Sequence, residues 1–164
     1  MEQIRRNVFE TNSSSTHSIT MCPKEEFEKW KNGEMFYVEC SGEFVSAEER
    51  NRDIRRTLLW DKIQIDFQTK TITFKDETIS FDGSYKDKYE KMEMFMTEEN
   101  LAEITQEEID EALADFHKYN LDTYETPLSY DEWLEYIEYE KFEERYTSVS
   151  GDEIVAFGYH GYAG

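Results

Sequence analysis

The sequence predicts an α+β fold: a single domain over residues 1–164, with an antiparallel sheet packed against three to four amphipathic helices. Three observations predict it. Ile63, Ile65 and Phe67 alternate with polar residues, then Ile72 and Phe74, then Ile79 and Phe81, the period-two signature of a three-strand meander at about 62–82 with one buried face. Ser46-Ala47-Glu48-Glu49, Thr105-Gln106-Glu107-Glu108 and Ser129-Tyr130-Asp131-Glu132 are capping boxes, in which a hydroxyl and a carboxylate satisfy each other's orphan N–H groups at a helix start. Hydrophobic residues make up 38% of the 164, enough for a core despite 34% charged residues. Aromatics must fill much of that core: there are eleven Tyr, eleven Phe and three Trp.

In order along the chain, Val8 to Glu10 and Ile19 to Met21 read as two short strands joined by a hydroxyl-rich turn. Pro23 opens a helix from Lys24 to Lys31 that turns Phe27 and Trp30 inward, and Asn32-Gly33 stops it. Met35 to Cys40 reads as a strand with Phe36 and Val38 on one face. The first capping box starts a helix to about Trp60, with Ile54 and Leu58 on one side; Arg50, Arg52, Arg55 and Arg56 make it the only basic element. After the meander, residues 84–96 fit either a helix or extended chain. The second box starts a helix burying Ile109, Leu113 and Phe116, with His117 late in it. The third starts a helix expected to run to about Tyr146, with Trp133, Leu134, Ile137 and Phe142 inside. Glu153 to Tyr159 reads as a last strand.

No apolar run approaches 18 residues, so no membrane span is expected. The start, MEQIRRNVFE, lacks the apolar region of a secretory signal, which places the expectation in a cytosol with Cys22 and Cys40 as thiols. His17, His160, Cys22 and Cys40 show no C-x-x-C or H-x-x-x-H pairing, so neither a metal nor another cofactor is expected. No nucleophile elbow, P-loop or kinase signature occurs.

Asn12 to Ser18 holds five hydroxyls and a histidine without glycine or proline. Two arginines stand upstream. The hydroxyls and turn N–H groups of Ser13, Ser14 and Ser15 suit phosphate oxygens, and Arg5 or Arg6 suits the same anion. His17 would then serve as general base for a hydroxyl such as that of Ser14. The simpler reading is a polar turn whose hydroxyls bond their own backbone. Arg6, Phe9-Glu10-Thr11-Asn12-Ser13-Ser14-Ser15 and His17-Ser18 resemble the opening segment of small, largely uncharacterised proteins of bacteriophages and mobile elements. The similarity covers roughly the first 20 residues, with Gly158-Tyr159-His160-Gly161 as a second short match. It implies a phage or mobile-element origin, hence a host-cell cytosol, and carries no activity with it.

The charge is the other signal. Net charge is −20, and it is lopsided: residues 1–86 carry 13 Lys plus Arg against 16 Asp plus Glu, residues 87–164 carry 5 against 22. Such a balance disfavours direct nucleic-acid and anionic-membrane contact and favours a basic protein partner. The candidate partner-binding residues are Glu107, Glu108, Asp110, Glu111 and Asp115 on one helix, and Asp131, Glu132, Glu135, Tyr136, Glu138 and Tyr139 on the other. One such helix sets a carboxylate roughly every 3 Å of axis, and two side by side approach the one charge per about 1.7 Å of duplex DNA. The sequence therefore favours an acidic inhibitor over an enzyme. Its target would be a basic, nucleic-acid-handling host protein such as a restriction or CRISPR nuclease, met by DNA mimicry or surface blocking. The alternative is an enzyme or binder for a nucleotide-like phosphate ligand at Arg5, Arg6 and Ser13 to His17.

Overall fold

The structure, a computed structural model, describes residues 5–10 and 15–162, with side chains from 18 to 161. Its elements in chain order are β1 (Arg5–Glu10), β2 (Ser15–Pro23), α1 (Lys24–Lys31), β3 (Met35–Val38), β4 (Glu43–Ser46), α2 (Ala47–Asp61), β5 (Gln64–Asp66), β6 (Thr71–Phe74), β7 (Glu77–Ser80), α3 (Tyr85–Glu93), α4 (Glu98–Ala102), α5 (Gln106–Ala114), α6 (Tyr130–Tyr136), β8 (Glu140–Thr147) and β9 (Glu153–Tyr162). The fold is α+β, with antiparallel sheets of four, two and three strands. The chain forms two compact units: residues 1–50 with 122–164, and residues 51–121.

In the first unit the sheet order is β1-β2-β9-β8. Side chains alternate across a sheet, so every second residue of β2 and β9 shares a face. Ser18, Thr20 and Cys22 fall on the buried face, beside Val155, Phe157 and Tyr159. Helix α1 sets Phe27 and Trp30 three positions apart on one side, and both are wholly buried. The Trp30 ring lies 4.9–5.4 Å from those of Phe157, Tyr130, Trp133 and Tyr37, and its Nε1 donates to the Leu128 carbonyl at 3.0 Å. Aromatic pairs at such separations contribute about 0.5–1.5 kcal/mol beyond their buried area. Gly33, at φ +80°, ends α1 in the left-handed conformation that a side chain disfavours. Phe36 and Val38 share a face of β3 as expected, but the other row goes deepest: Tyr37 is 1% exposed and Glu39, just past the strand, 2%.

One element departs from expectation. The third box does open a helix, yet α6 ends at Tyr136, where Ile137 turns extended (φ −87°, ψ 110°). Residues 140–147 are strand β8, paired along its length with β9. Continuing the helix would have stacked Glu135, Glu138 and Glu140 with Glu143 and Glu144 at repelling three- and four-residue spacings. It would also have left one edge of the ten-residue β9 unpaired. The strand relieves both, and Tyr139 stacks on Tyr159 at 5.4 Å. Leu134, expected inside, is 42% exposed.

In the second unit the meander β5-β6-β7 forms in the expected order, but Phe67, expected on its buried face, lies just past β5 and is 46% exposed. Its turns use Asp66, whose Oδ1 accepts the N–H groups of Gln68 and Thr69, and the left-handed Lys70 and Lys75. Ile72 and Phe74 are buried, with Phe95 5.5 Å from Phe74. Residues 85–93, ambiguous in sequence, are helical, because Ser84 caps them by accepting the Asp87 N–H. A further short helix, α4, starts at the unforeseen cap Thr97. In α5 the buried positions are Ile109 and Ala112; Leu113 is half-buried, and Phe116 reaches the core from beyond the helix end. His117 lies in the turn after α5 rather than late in the helix.

Candidate functional site

The hydroxyl-rich stretch is placed in part. Ser13 and Ser14 lie outside the described residues. Arg5 and Arg6 are in β1, Ser15 and His17 in β2, described by their backbone. The antiparallel register sets Glu10 opposite Thr16, but Arg5 opposite Met21. At about 3.3 Å per residue, five residues carry the Arg5 backbone roughly 16 Å along the strand from Glu10. Arg5 and Arg6 therefore sit at the end of the strand pair away from Ser15, one of the serines they were expected to assist.

The last hydroxyl of the stretch is consumed by the core. Ser18 Oγ donates to Glu39 Oε1 at 3.0 Å, and Trp133 Nε1 donates to Glu39 Oε2 at 3.3 Å. Beside them Thr20 Oγ1 and Tyr37 OH share a 2.6 Å hydrogen bond. A carboxylate this buried is tolerated because both of its oxygens accept hydrogen bonds. The hydroxyl-rich stretch and the Gly158–Gly161 segment are strand neighbours: Ser18 pairs with Tyr159, Ile19 with Gly158, and His17 with His160. The contact at Gly158 is so close that an added Cβ would lie 1.7 Å from the Ser18 carbonyl oxygen. This seam is a structural use for Ser18 and Gly158, and sequence reasoning did not find Glu39 at all. The only hint was a strand-like pattern carrying a carboxylate one step past Val38.

Among the described residues no group of His, Cys, Asp and Glu could hold a metal ion. Cys22 is buried and Cys40 exposed, with no disulfide between them. Among the described residues no helix is long and apolar enough to cross a membrane.

The acidic candidates fall into both units. In the second, α5 keeps its helix and turns Glu107, Asp110 and Glu111 outward, opposite Ile109 and Ala112. Glu108 closes the capping box with Thr105 and pairs with Lys62 at 3.0 Å. The bonds from the Thr105 N–H and then from Lys62 hold its carboxyl below the usual range. Asp110 accepts from Gln106, Glu111 from the Tyr119 hydroxyl, and Asp115 from the Lys118 N–H. Glu98 and Glu103 are paired with Arg52 and Lys75. Among the described residues Glu99, Glu107, Asp110, Glu111 and Asp115 have no Lys or Arg within ion-pair distance.

In the first unit the set is divided by the end of α6. Asp131, Glu132, Glu135 and Tyr136 are helical, whereas Glu138 and Tyr139 lie in the connection to β8. Glu132 is committed inward: its Oε1 and Oε2 each lie 2.8 Å from an Arg50 terminal nitrogen, and Arg50, 5% exposed, lies over the Phe36 ring at 4.2 Å. Tyr139 is committed to Tyr159. Asp131, Glu135, Glu138 and Glu140 remain exposed. Counted by unit, the first carries 8 Lys plus Arg against 21 Asp plus Glu and the second 10 against 17, so the net −20 divides into −13 and −7. No family model, curated protein or solved structure matches the chain.

Proposed function

We propose that the protein is a binding module whose exposed carboxylates engage a basic protein partner. The observation that carries this reading is the outer face of α5, where Glu107, Asp110 and Glu111 point to solvent with no cation among the described residues at ion-pair distance. Like charges at these spacings cost a few tenths of a kcal/mol each, a penalty with no return in the free chain. A cationic surface removes it and gains speed of encounter from the same field. The resemblance to phage and mobile-element segments supports a nucleic-acid-handling host protein, such as a restriction or CRISPR nuclease, as that partner. With β8 in place of a long second acidic helix, blocking of a basic surface is favoured over mimicry of a regular duplex.

Exposed charge is screened over about 10 Å at 0.1 M salt and about 3 Å at 1 M. The test is retention of host proteins on the immobilised chain at those two salts, followed by a DNA-binding assay on what is recovered. A basic protein that is held at low salt, released at high salt and blocked from DNA by the chain is the expected result. Retention that survives 1 M salt, or that is unchanged by Glu107→Gln, Asp110→Asn and Glu111→Gln together, would remove the acidic surface from the account.

A further inference from the structure

The sheet of the first unit ends in β8, an eight-residue strand paired on one side with β9 and, among the described residues, with no strand on the other. Beside that edge lies a pocket of about 230 Å³. Phe27, Trp133 and Phe157, each at most 2% exposed, form its floor; Tyr130, Leu134 and Phe142 form its walls. Small-molecule sites usually occupy about 300–1,000 Å³, so this pocket suits one bulky side chain better than a drug-sized ligand. Polar groups frame it. Lys141 Nζ donates to the Ile137 and Tyr139 carbonyls, folding its charge back onto the end of α6. Glu143 is held by Arg145, which also pairs with Glu28.

We propose that this edge and pocket together receive an extended, basic peptide segment of the partner. The segment would add a strand to β8 and place one bulky apolar side chain against Trp133 and Leu134. An open strand edge offers main-chain hydrogen bonds, and a neighbouring pocket selects a side chain; this is the logic of strand addition. Charge chooses the occupant. With Lys141 and Arg145 internally held, Glu140 and Glu144 on the strand and Glu135 and Glu138 just before it leave the edge acidic. An acidic or neutral strand is repelled or ungained, while a Lys- or Arg-rich one is attracted, so the charges that guard against indiscriminate pairing also specify a partner.

This inference rests on the reading of a basic partner but uses a different surface from α5. The probe is acetyl-Lys-Val-Arg-Leu-Lys-Val-Lys-amide, titrated against the full chain and followed by amide NMR and Trp fluorescence. Shifts confined to residues 130–147 and their β9 neighbours are expected. Affinity should fall at least tenfold on replacing the central Leu by Gly, on N-methylating alternate peptide amides, or on Leu134→Arg in the protein, whose exposed position leaves the fold intact by near-ultraviolet circular dichroism. Shifts mapping elsewhere, or an affinity indifferent to backbone methylation and to L134R, would overturn the inference. Either outcome would leave the α5 reading standing, because that is measured on the host partner with the Glu107, Asp110 and Glu111 variant.

Discussion

The same four-residue device opens α5 and α6, and the two uses differ in what lies behind it. Thr105 and Glu108 close one capping box, Ser129 and Glu132 the other, each with the hydroxyl accepting one N–H and the carboxylate the reciprocal one. Glu108 then meets Lys62, the two side chains 37% and 50% exposed. Glu132 meets Arg50, at 20% and 6%. A local sequence signal thus fixes where a helix starts, while burial of the second partner decides how much the whole fold depends on it. The comparison also separates function from structure. The box glutamate of α6 is bound into the first unit, whereas the outward carboxylates beside Glu108 remain available.

The largest expected effect tests the buried side. Glu132→Ala removes the carboxylate half of the capping box and strands the Arg50 charge, and breaking a buried pair costs about 3–5 kcal/mol. Urea denaturation should show that loss, and the double change Arg50→Met with Glu132→Leu should recover much of it, since no lone charge remains. Glu108→Ala should cost only about 1 kcal/mol, the usual scale of a lost cap with a solvent-screened pair. If the two glutamate variants were equally destabilised, burial would not be the distinguishing variable.

Smaller still is Lys62→Ala, expected within about 1 kcal/mol and fading as salt is added, as for exposed ion pairs generally. The finest test is a titration. The Glu108 carboxyl is held below its ordinary range chiefly by the Thr105 N–H. A lowered folded-state value means its contribution is present above the unfolded value of 4.5 and is lost as pH falls through the folded one. Lys62→Ala, which removes a lesser cause, should move the midpoint of the Glu108 carboxyl resonance upward while leaving the cap. An unmoved midpoint would assign the whole shift to the cap.

What was legible in the sequence follows the range of each interaction. Caps at Ser46, Thr105 and Ser129 act within four residues, and alternation along the meander acts within one strand, so each was readable. The end of α6 was not, because it is set by β9 some twenty residues later needing a partner for its open edge. Ile137 and Phe142 also satisfied an apolar helical spacing, which hid their places before and in a strand. Glu39 was invisible for the same reason: its donors, Ser18 and Trp133, lie 21 and 94 positions away. The acidic surface of α5 was legible as composition, but which of its carboxylates would be neutralised depended on Lys62 reaching Glu108 in space.

The burial of Cys22 has a practical consequence. Its thiol is pushed up to about 12 by burial and then by the nearby Glu26 carboxylate, so at pH 8 almost none is thiolate. Cys40 is exposed, and a maleimide dye should attach there first, giving a single-site label without mutagenesis. A second label then enters only when β2 lifts from α1, which makes the rate of double modification a clock for opening of the aromatic core.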